Sequence, residues 1–252
     1  MQENSFKVTI LYNNVPHDKR LTTAWGMACL VEGGPKTVLF DTGGDGSILL
    51  ENMKTLEKNP DDVDVVVISH IHADHTGGLA AFLEENSNVE VFLPASFPAS
   101  LKEETARTGA EVQEVSGPRR IVEGIHTTGE MGTFLKEQAL ILDTAKGLVL
   151  ITGCSHPGVD NMAQQAVKVC PDRIFYLITG GFHLGGKSAA SIQKIIRTFR
   201  TLEVQKVGPS HCTGDNAIRM FKEAWGEDFV DLGCGDQATI PRKREQTEGT
   251  KR

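Results

Sequence analysis

The chain has 252 residues, 39% of them hydrophobic, and a formal net charge of −7, which suits one α/β domain with a sizeable core. No apolar run approaches the roughly 20 residues needed to cross a bilayer, and the first residues, Met1 to Lys7, lack the basic region and apolar stretch of a secretory leader, so a cytoplasmic protein is expected. Outside the last eleven residues the chain carries 21 basic against 31 acidic groups, a balance that disfavours a nucleic-acid backbone and points to a small-molecule substrate.

In chain order, strands are expected at Lys7–Leu11, Met27–Glu32 and Thr37–Phe40, followed by a helix over Ser47–Lys58. Asp64-Val-Val-Val-Ile-Ser69 is a β-branched run without helical spacing, readable as a buried strand. A helix with Thr76 near its N-cap follows it. Next come a strand at Val89–Leu93, an irregular insertion to Gly117, and strands at Val112–Val115, Ile121–Thr127, Ala139–Asp143 and Leu148–Thr152. A helix over Asp160–Val169, a strand ending at Gly181 and a helix from Ser188 to Leu202 complete the series. Local patterning alone gives a mixed α/β chain with no solenoid repeats. It reads as a single domain over residues 1–241 and a polar, disordered tail over 242–252. Phe97 in the insertion, with Trp25 and Met27, is expected to form an apolar wall near a site opening.

Chemistry concentrates at Ile68-Ser-His-Ile-His-Ala-Asp-His-Thr-Gly-Gly78, which places His70, His72, Asp74 and His75 within six residues at a strand's end. Residues i and i+2 of an extended stretch point the same way, so His70 and His72 converge on one ion. The turn after Ala73 then swings Asp74 and His75 towards a second. Imidazole with carboxylate suits zinc, with iron or manganese as further candidates.

This segment resembles the HxHxDH signature of the metallo-β-lactamase superfamily, and further pieces follow in order. Thr37-Val-Leu-Phe-Asp-Thr-Gly43 is similar to the family's early Asp-Thr-Gly turn, and Leu148 to His156 and Lys206 to Gly214 each carry a histidine after a strand. The resemblance implies a four-layer αββα sandwich. It also implies that His70, His72 and His156 form one metal site, and Asp74, His75 and His211 another. Asp41 then lies behind the ligands, fixing a histidine ring or shaping an Asx-type turn. His17 and His126 fall outside the pattern and read as ordinary polar residues. The wording of Ile151–Gly158, Thr179–Leu184 and Pro209–Gly214 resembles one branch of the superfamily, related to an archaeal synthase of a phosphorylated dihydropterin compound.

One departure stands out. Where an aspartate usually bridges two metals, the strand here ends in Phe182-His183. An imidazole offers one lone pair and cannot bridge, so either a hydroxide alone links the ions or one metal is weakly held, and His183 is read as an acid/base group, a substrate contact or a metal ligand. Gly181-Phe-His-Leu-Gly-Gly-Lys-Ser188 also fits the P-loop expression, but it lies late in the chain and no strand ending in aspartate follows to hold magnesium. The softer reading keeps Lys187 as a contact for a substrate phosphate or carboxylate. Five cysteines, at 29, 154, 170, 212 and 234, are odd in number and lack CxxC spacing, which argues against a disulfide framework. Cys154 and Cys212 lie within two residues of expected ligands and are read as packing residues, with thiolate ligation as the alternative.

The function these readings imply is a metal-dependent hydrolase using a metal-bound hydroxide and one or two ions on a small phosphorylated or ester-type substrate. Asp74 orients the hydroxide and His183 moves the proton. The alternatives are a synthase or transferase on a phosphorylated pterin-like or ribosyl substrate, and a ligand-binding regulator. Oligomeric state is not encoded in any of these features.

Overall fold

Alternation at a period of two, inside runs that are apolar throughout, organises the molecule. In Val65-Val-Val67 the outer two side chains face one apolar layer and Val66 faces another, and Val149 and Ile151 part from Leu148 and Leu150 in the same way. Such strands are covered on both faces. A computed structural model, describing residues 5–243, shows how they are covered.

Thirteen strands among the described residues form two sheets. The first contains β1 (Ser5–Asn13), β2 (Met27–Glu32), β3 (Val38–Phe40), β4 (Val65–Val67), β5 (Glu90–Pro94), β6 (Glu111–Val115) and β13 (Gln237–Pro241), in the order β13-β1-β2-β3-β4-β5-β6. The second contains β7 (Arg119–Val122), β8 (Ile125–Thr127), β9 (Leu140–Thr144), β10 (Gly147–Thr152), β11 (Phe175–Gly181) and β12 (Lys206–Ser210), in the order β12-β11-β10-β9-β8-β7. Each sheet is antiparallel at one side and parallel at the other, the parallel runs being β3 to β6 and β10 to β12.

Between the sheets lies a core that includes Phe6, Ile10, Phe40, Val65, Val67, Phe92, Leu140, Val149 and Ile151. Helices α1 (Gly46–Thr55) and α3 (Leu79–Glu85) pack Leu49, Met53, Phe82 and Leu83 on the outer face of the first sheet. The outer face of the second is covered by α5 (Val159–Val169), α6 (Ala189–Thr201) and α7 (Asp215–Trp225), through Met162, Ile192, Phe199, Phe221 and Trp225. Helix, sheet, sheet, helix is the four-layer αββα sandwich expected.

Several local expectations are corrected. The helix read from Thr76 is split into α2 (Ala73–Thr76) and α3, with Gly78 rather than Thr76 before the longer piece. The break lets Gly77 and Gly78 press on the loop after β3: a Cβ on Gly78 would sit 2.2 Å from the Thr42 carbonyl. Ile121–Thr127 is not one strand but the hairpin β7–β8, turning at Gly124 with φ +76°. The insertion after Leu93 holds a regular helix, α4 (Ala99–Arg107), and α7 was not read at all. The helix expected over Ser47–Lys58 ends at Thr55. Arg242 and Lys243, assigned to the tail, are placed: Arg242 donates to the Gly33 carbonyl at 3.1 Å and to Glu123 at 3.0 Å. Residues 244–252 of that tail lie outside the described residues.

Both parallel runs end at the same edge of the sandwich, where ligand sites of α/β sheets lie because the strand-to-helix loops converge there. Phe182 anchors that edge in the second sheet, its ring centroid 5.4 Å from Phe221 and 6.0 Å from Phe199. Phe182→Ala is therefore expected to destabilise the fold by about 3–5 kcal/mol through the cavity it leaves, as read from the urea midpoint at unchanged m-value.

Candidate metal centre

The first functional corner follows β3. Asp41 adopts φ +58° and is fully buried, its carboxylate accepting from Ser69 N–H at 2.6 Å, Ser69 Oγ–H at 2.7 Å and His75 Nδ1–H at 2.7 Å. Because the Ser69 hydroxyl donates to Asp41, it is left to accept from His70 Nδ1–H, 2.9 Å away. One carboxylate thus sets the tautomer of two rings and leaves both Nε2 atoms with free lone pairs. It binds no Asx-turn N–H here, since Gly43 N–H goes to the Met27 carbonyl at 3.0 Å. A third ring is set the same way: His211, after β12, donates from Nδ1 to Asn14 Oδ1 at 2.9 Å.

The freed nitrogens face one another. His70 Nε2 lies 3.2 Å from His72 Nδ1, and the His156 ring centroid is 4.8 Å from those of both His70 and His72. On the other side, the Asp74 carboxylate is 3.5 Å from His75 Nε2 and 3.2 Å from His211 Nε2. The Nε2 atom of His156 is buried with no hydrogen-bond partner, and that of His211 is buried with only the Asp74 carboxylate beside it, a costly arrangement for a nitrogen with a free lone pair unless something accepts that pair. Donor atoms of His70, His72 and Asp74 lie within 4.8 Å of one another, and so do those of Asp74, His75, Cys154 and His211. Asp74 therefore touches both halves.

Electrostatics agree with that division. Burial, then the neighbouring imidazoles, push the pKa of His70 down, and those of His156 to about 4, so both rings are neutral donors. Burial would raise Asp74, but His211 and His75 hold it at about 2, fully charged. His75 is raised, Asp41 overcoming the effect of burial. Neutral His70 and His156, with further imidazoles and the charged Asp74 carboxylate, form a donor set that fits zinc, iron or manganese.

Three residues of this centre were missed or misread in the sequence. Glu137 is fully buried and accepts the N–H groups of Cys154, Ser155 and His156, each at 2.8 Å, so it folds the whole turn after β10. Burial pushes its carboxyl up to about 7, against those three donors. No local pattern marks Glu137, because all its partners lie 17 to 19 residues away. Cys154 is not a packing residue beneath the turn: its Sγ faces His75 Nε2 at 3.3 Å. Cys212 is half-buried, and its thiol is held well below the ordinary range by hydrogen bonding with Cys154 and then with His183.

His183 lies two residues after β11 at φ +49° and is exposed, with its ring centroid 4.3 Å from that of His156. Its contact with Cys212 raises its pKa against the effect of burial. Lys187 is exposed, one residue before the α6 N-cap Ser188. Of the expected apolar wall, only Trp25 is present, 57% exposed and 4.8 Å from the His211 ring. Met27 is buried between the sheets and Phe97 beneath the outer helices, so neither reaches the opening. His17 pairs with Asp236 at 3.1 Å and His126 lies within β8, away from the cluster.

A two-sheet sandwich with histidines and one aspartate at its converging edge is the architecture of a metal-dependent class, and the comparisons agree. Residues 26–156 match the Metallo-beta-lactamase superfamily, to which the chain belongs. It is 31% identical, over 83% of its length and 88% of the relative's, to 7,8-dihydropterin-6-methyl-4-(beta-D-ribofuranosyl)-aminobenzene-5'-phosphate synthase of Methanocaldococcus jannaschii. A crystal structure of a metal-dependent hydrolase of the beta-lactamase superfamily superposes with TM-score 0.74 at 26% identity, covering 92% of this chain and 98% of that one. The metallo-beta-lactamase fold protein YhfI of Bacillus subtilis shares the fold at 14% identity and TM-score 0.68, covering 93% and 99%.

If Asp41 orients the ligands, Asp41→Asn lowers zinc affinity by about 10–100-fold in a chelator competition. Gly153→Ala acts in the same direction, because its Cβ would sit 2.2 Å from Ser69 Oγ and 3.1 Å from Asp41 Oδ2. Gly117→Ala, where a Cβ meets nothing within 4 Å, serves as the control.

Proposed function

We propose that this chain is a metal-dependent hydrolase acting on a small, anionic substrate of the phosphorylated or ester type, with His70, His72 and His156 holding one ion and Asp74, His75 and His211 a second. The observation that supports this most is the convergence of the His70, His75 and His211 rings, each hydrogen-bonded on its other side, with the buried and unpartnered Nε2 of His156. Zinc in such a site lowers the pKa of bound water to about 7 and polarises an oxygen of the substrate. The chain's own residues do the rest. Asp74, charged and shared between the two halves, orients the attacking group. His183, raised in pKa and facing the opening, passes a proton to the leaving group. Lys187 attracts the substrate's anionic end, and the exposed face of Trp25 beside His211 gives its apolar part a place to stack. An acidic chain at net −7 favours such a substrate over nucleic acid. Among the described residues no helix is long and apolar enough to cross a membrane, and we infer a cytoplasmic location.

A second reading, bond formation rather than hydrolysis, draws on the relative named as a synthase of a phosphorylated dihydropterin compound. The site feature favouring it is His183, two residues after β11, whose imidazole cannot bridge two ions as a carboxylate can. Trp25 and Lys187 would then receive an aromatic ring and a phosphate.

Elemental analysis of purified protein should find stoichiometric zinc, iron or manganese, and His72→Ala should remove metal and activity together. A screen across phosphodiesters, lactones, thioesters and β-lactams, run beside a coupling assay on phosphorylated acceptors, separates the two readings. Turnover in the coupling assay alone discards the hydrolase. Lys187→Ala should raise KM for phosphorylated substrates about tenfold, the loss of one charge-assisted contact worth about 1.5 kcal/mol, with kcat little changed. Protein without transition metal, or His72→Ala with full activity, discards both readings.

A further inference from the structure

We propose that Cys154, Cys212 and His183 form a thiolate-rich metal pocket on the open side of the histidine cluster, suited to a thiophilic divalent ion of the zinc type. The three residues follow β10, β12 and β11, which are parallel neighbours, so their turns emerge side by side from one edge of the second sheet. Their donor atoms all lie within 4.8 Å of one another. Tetrahedral zinc, with Zn–S near 2.3 Å and Zn–N near 2.0–2.1 Å, holds sulfur atoms about 3.7 Å apart, which rotation of the half-buried Cys212 and exposed His183 side chains can reach.

Packing does not account for the two thiols. Cys29 and Cys170 belong to the hydrophobic clusters; Cys154, Cys212 and Cys234 belong to none, and of these Cys234 is buried against the Leu11 carbonyl, whereas the other two face the centre. Cys154 Sγ points at His75 Nε2, 3.3 Å away, and Cys212 Sγ lies 3.7 Å from the Cys154 carbonyl. The space for the second thiol depends on Gly181, where a Cβ would come within 2.8 Å of Cys212 Sγ and 2.3 Å of the Gly153 carbonyl. The backbone turns sharply at the same place: His183 sits at φ +49°, a left-handed conformation uncommon outside glycine. The residue before it is held by Thr213 Oγ1, which accepts the Phe182 N–H at 3.0 Å.

Soft sulfur donors select zinc, cobalt or copper(I) over magnesium and calcium. An ion in this pocket shares Cys154 with the second histidine half, so the strand end lacking the usual aspartate still contributes to a metal through His183. The inference extends the metal-dependent reading, and its test separates the two. Chelator-stripped full-length protein is titrated with Co(II). The expected spectrum combines d–d bands with a near-ultraviolet thiolate-to-cobalt charge-transfer band. Cys212→Ser and Cys154→Ser each lose most of that band while retaining d–d absorption from the histidines, and Cys29→Ser retains both. In a second readout, zinc slows alkylation of Cys212 by iodoacetamide at least about tenfold, since the metal-bound thiolate is a poor nucleophile. Should Cys154→Ser fail to fold, Cys212→Ser and the alkylation rate decide alone. Cobalt bound with d–d bands but no charge transfer overturns the pocket and leaves the metal-dependent reading standing. A full charge-transfer band in Cys212→Ser also overturns it, placing Cys154 within the histidine cluster alone. Absence of any bound cobalt overturns both.

Discussion

Everything at the functional edge depends on a carboxylate shut away from water. Asp41 is fully buried with no lysine or arginine partner among the described residues, and its charge is met by Ser69 N–H, Ser69 Oγ–H and His75 Nδ1–H. A buried charge costs several kcal/mol unless hydrogen bonds replace its hydration, so those donors are held where the carboxylate needs them. The constraint spreads in three directions. It closes the end of β4 against β3, it orients His75 directly and His70 through Ser69, and it fixes where the second sheet can approach, because Gly153 at the end of β10 fits against Ser69 and Asp41 only without a Cβ. The two sheets are thus keyed to each other at the point where the ligand-bearing turns meet.

The same edge stores conformational strain. Asp41, Ser155, His183 and His211 all have positive φ although none is glycine, and each follows a strand that points into the centre. Left-handed backbone costs roughly 1–2 kcal/mol at such residues, and it persists because surrounding contacts over-determine each corner. Glu137 takes three consecutive N–H groups around Ser155, while Ser155 Oγ–H reaches the Gly181 carbonyl at 2.7 Å. Thr213 ties the turn after β12 to that after β11. Reversing the chain sharply at four strand ends turns side chains inward that an extended continuation would send past one another.

Much of this was legible in the sequence. The β-branched runs showed a mixed α/β chain and the spacing of His70, His72, Asp74 and His75 showed a ligand cluster at a strand's end, while the four layers and the places of His156 and His211 came from the resemblance to the superfamily. What escaped was tertiary by nature or hidden by habit. Glu137 and its partners are distant in sequence, and nothing local separates a fully buried glutamate from a surface one. The cysteines looked like filler because small buried thiols usually are; only three-dimensional proximity to His75 and His183 shows otherwise. Helix α7 was visible in principle, with Ala217, Phe221 and Trp225 spaced at i, i+4 and i+8 on one buried face. The ligand turn before it drew attention away from that periodicity. Phe97 was misplaced for the opposite reason, since an aromatic flanked by prolines resembles a rim loop but here caps the outer helices.

The centre is also uneven from one side to the other. His70, His75 and His211 are buried and hydrogen-bonded on their far sides, so the half of the site nearest the first sheet is rigid. His72 and His183 are exposed, and Trp25 lies over His211 at the rim. Half-buried Cys212 lies beside His183 on this open side. The thiols divide in the same way: Cys154 is buried against His75, whereas half-buried Cys212 stands beside the exposed His183, so the two sulfur atoms join the rigid half of the centre to the open one.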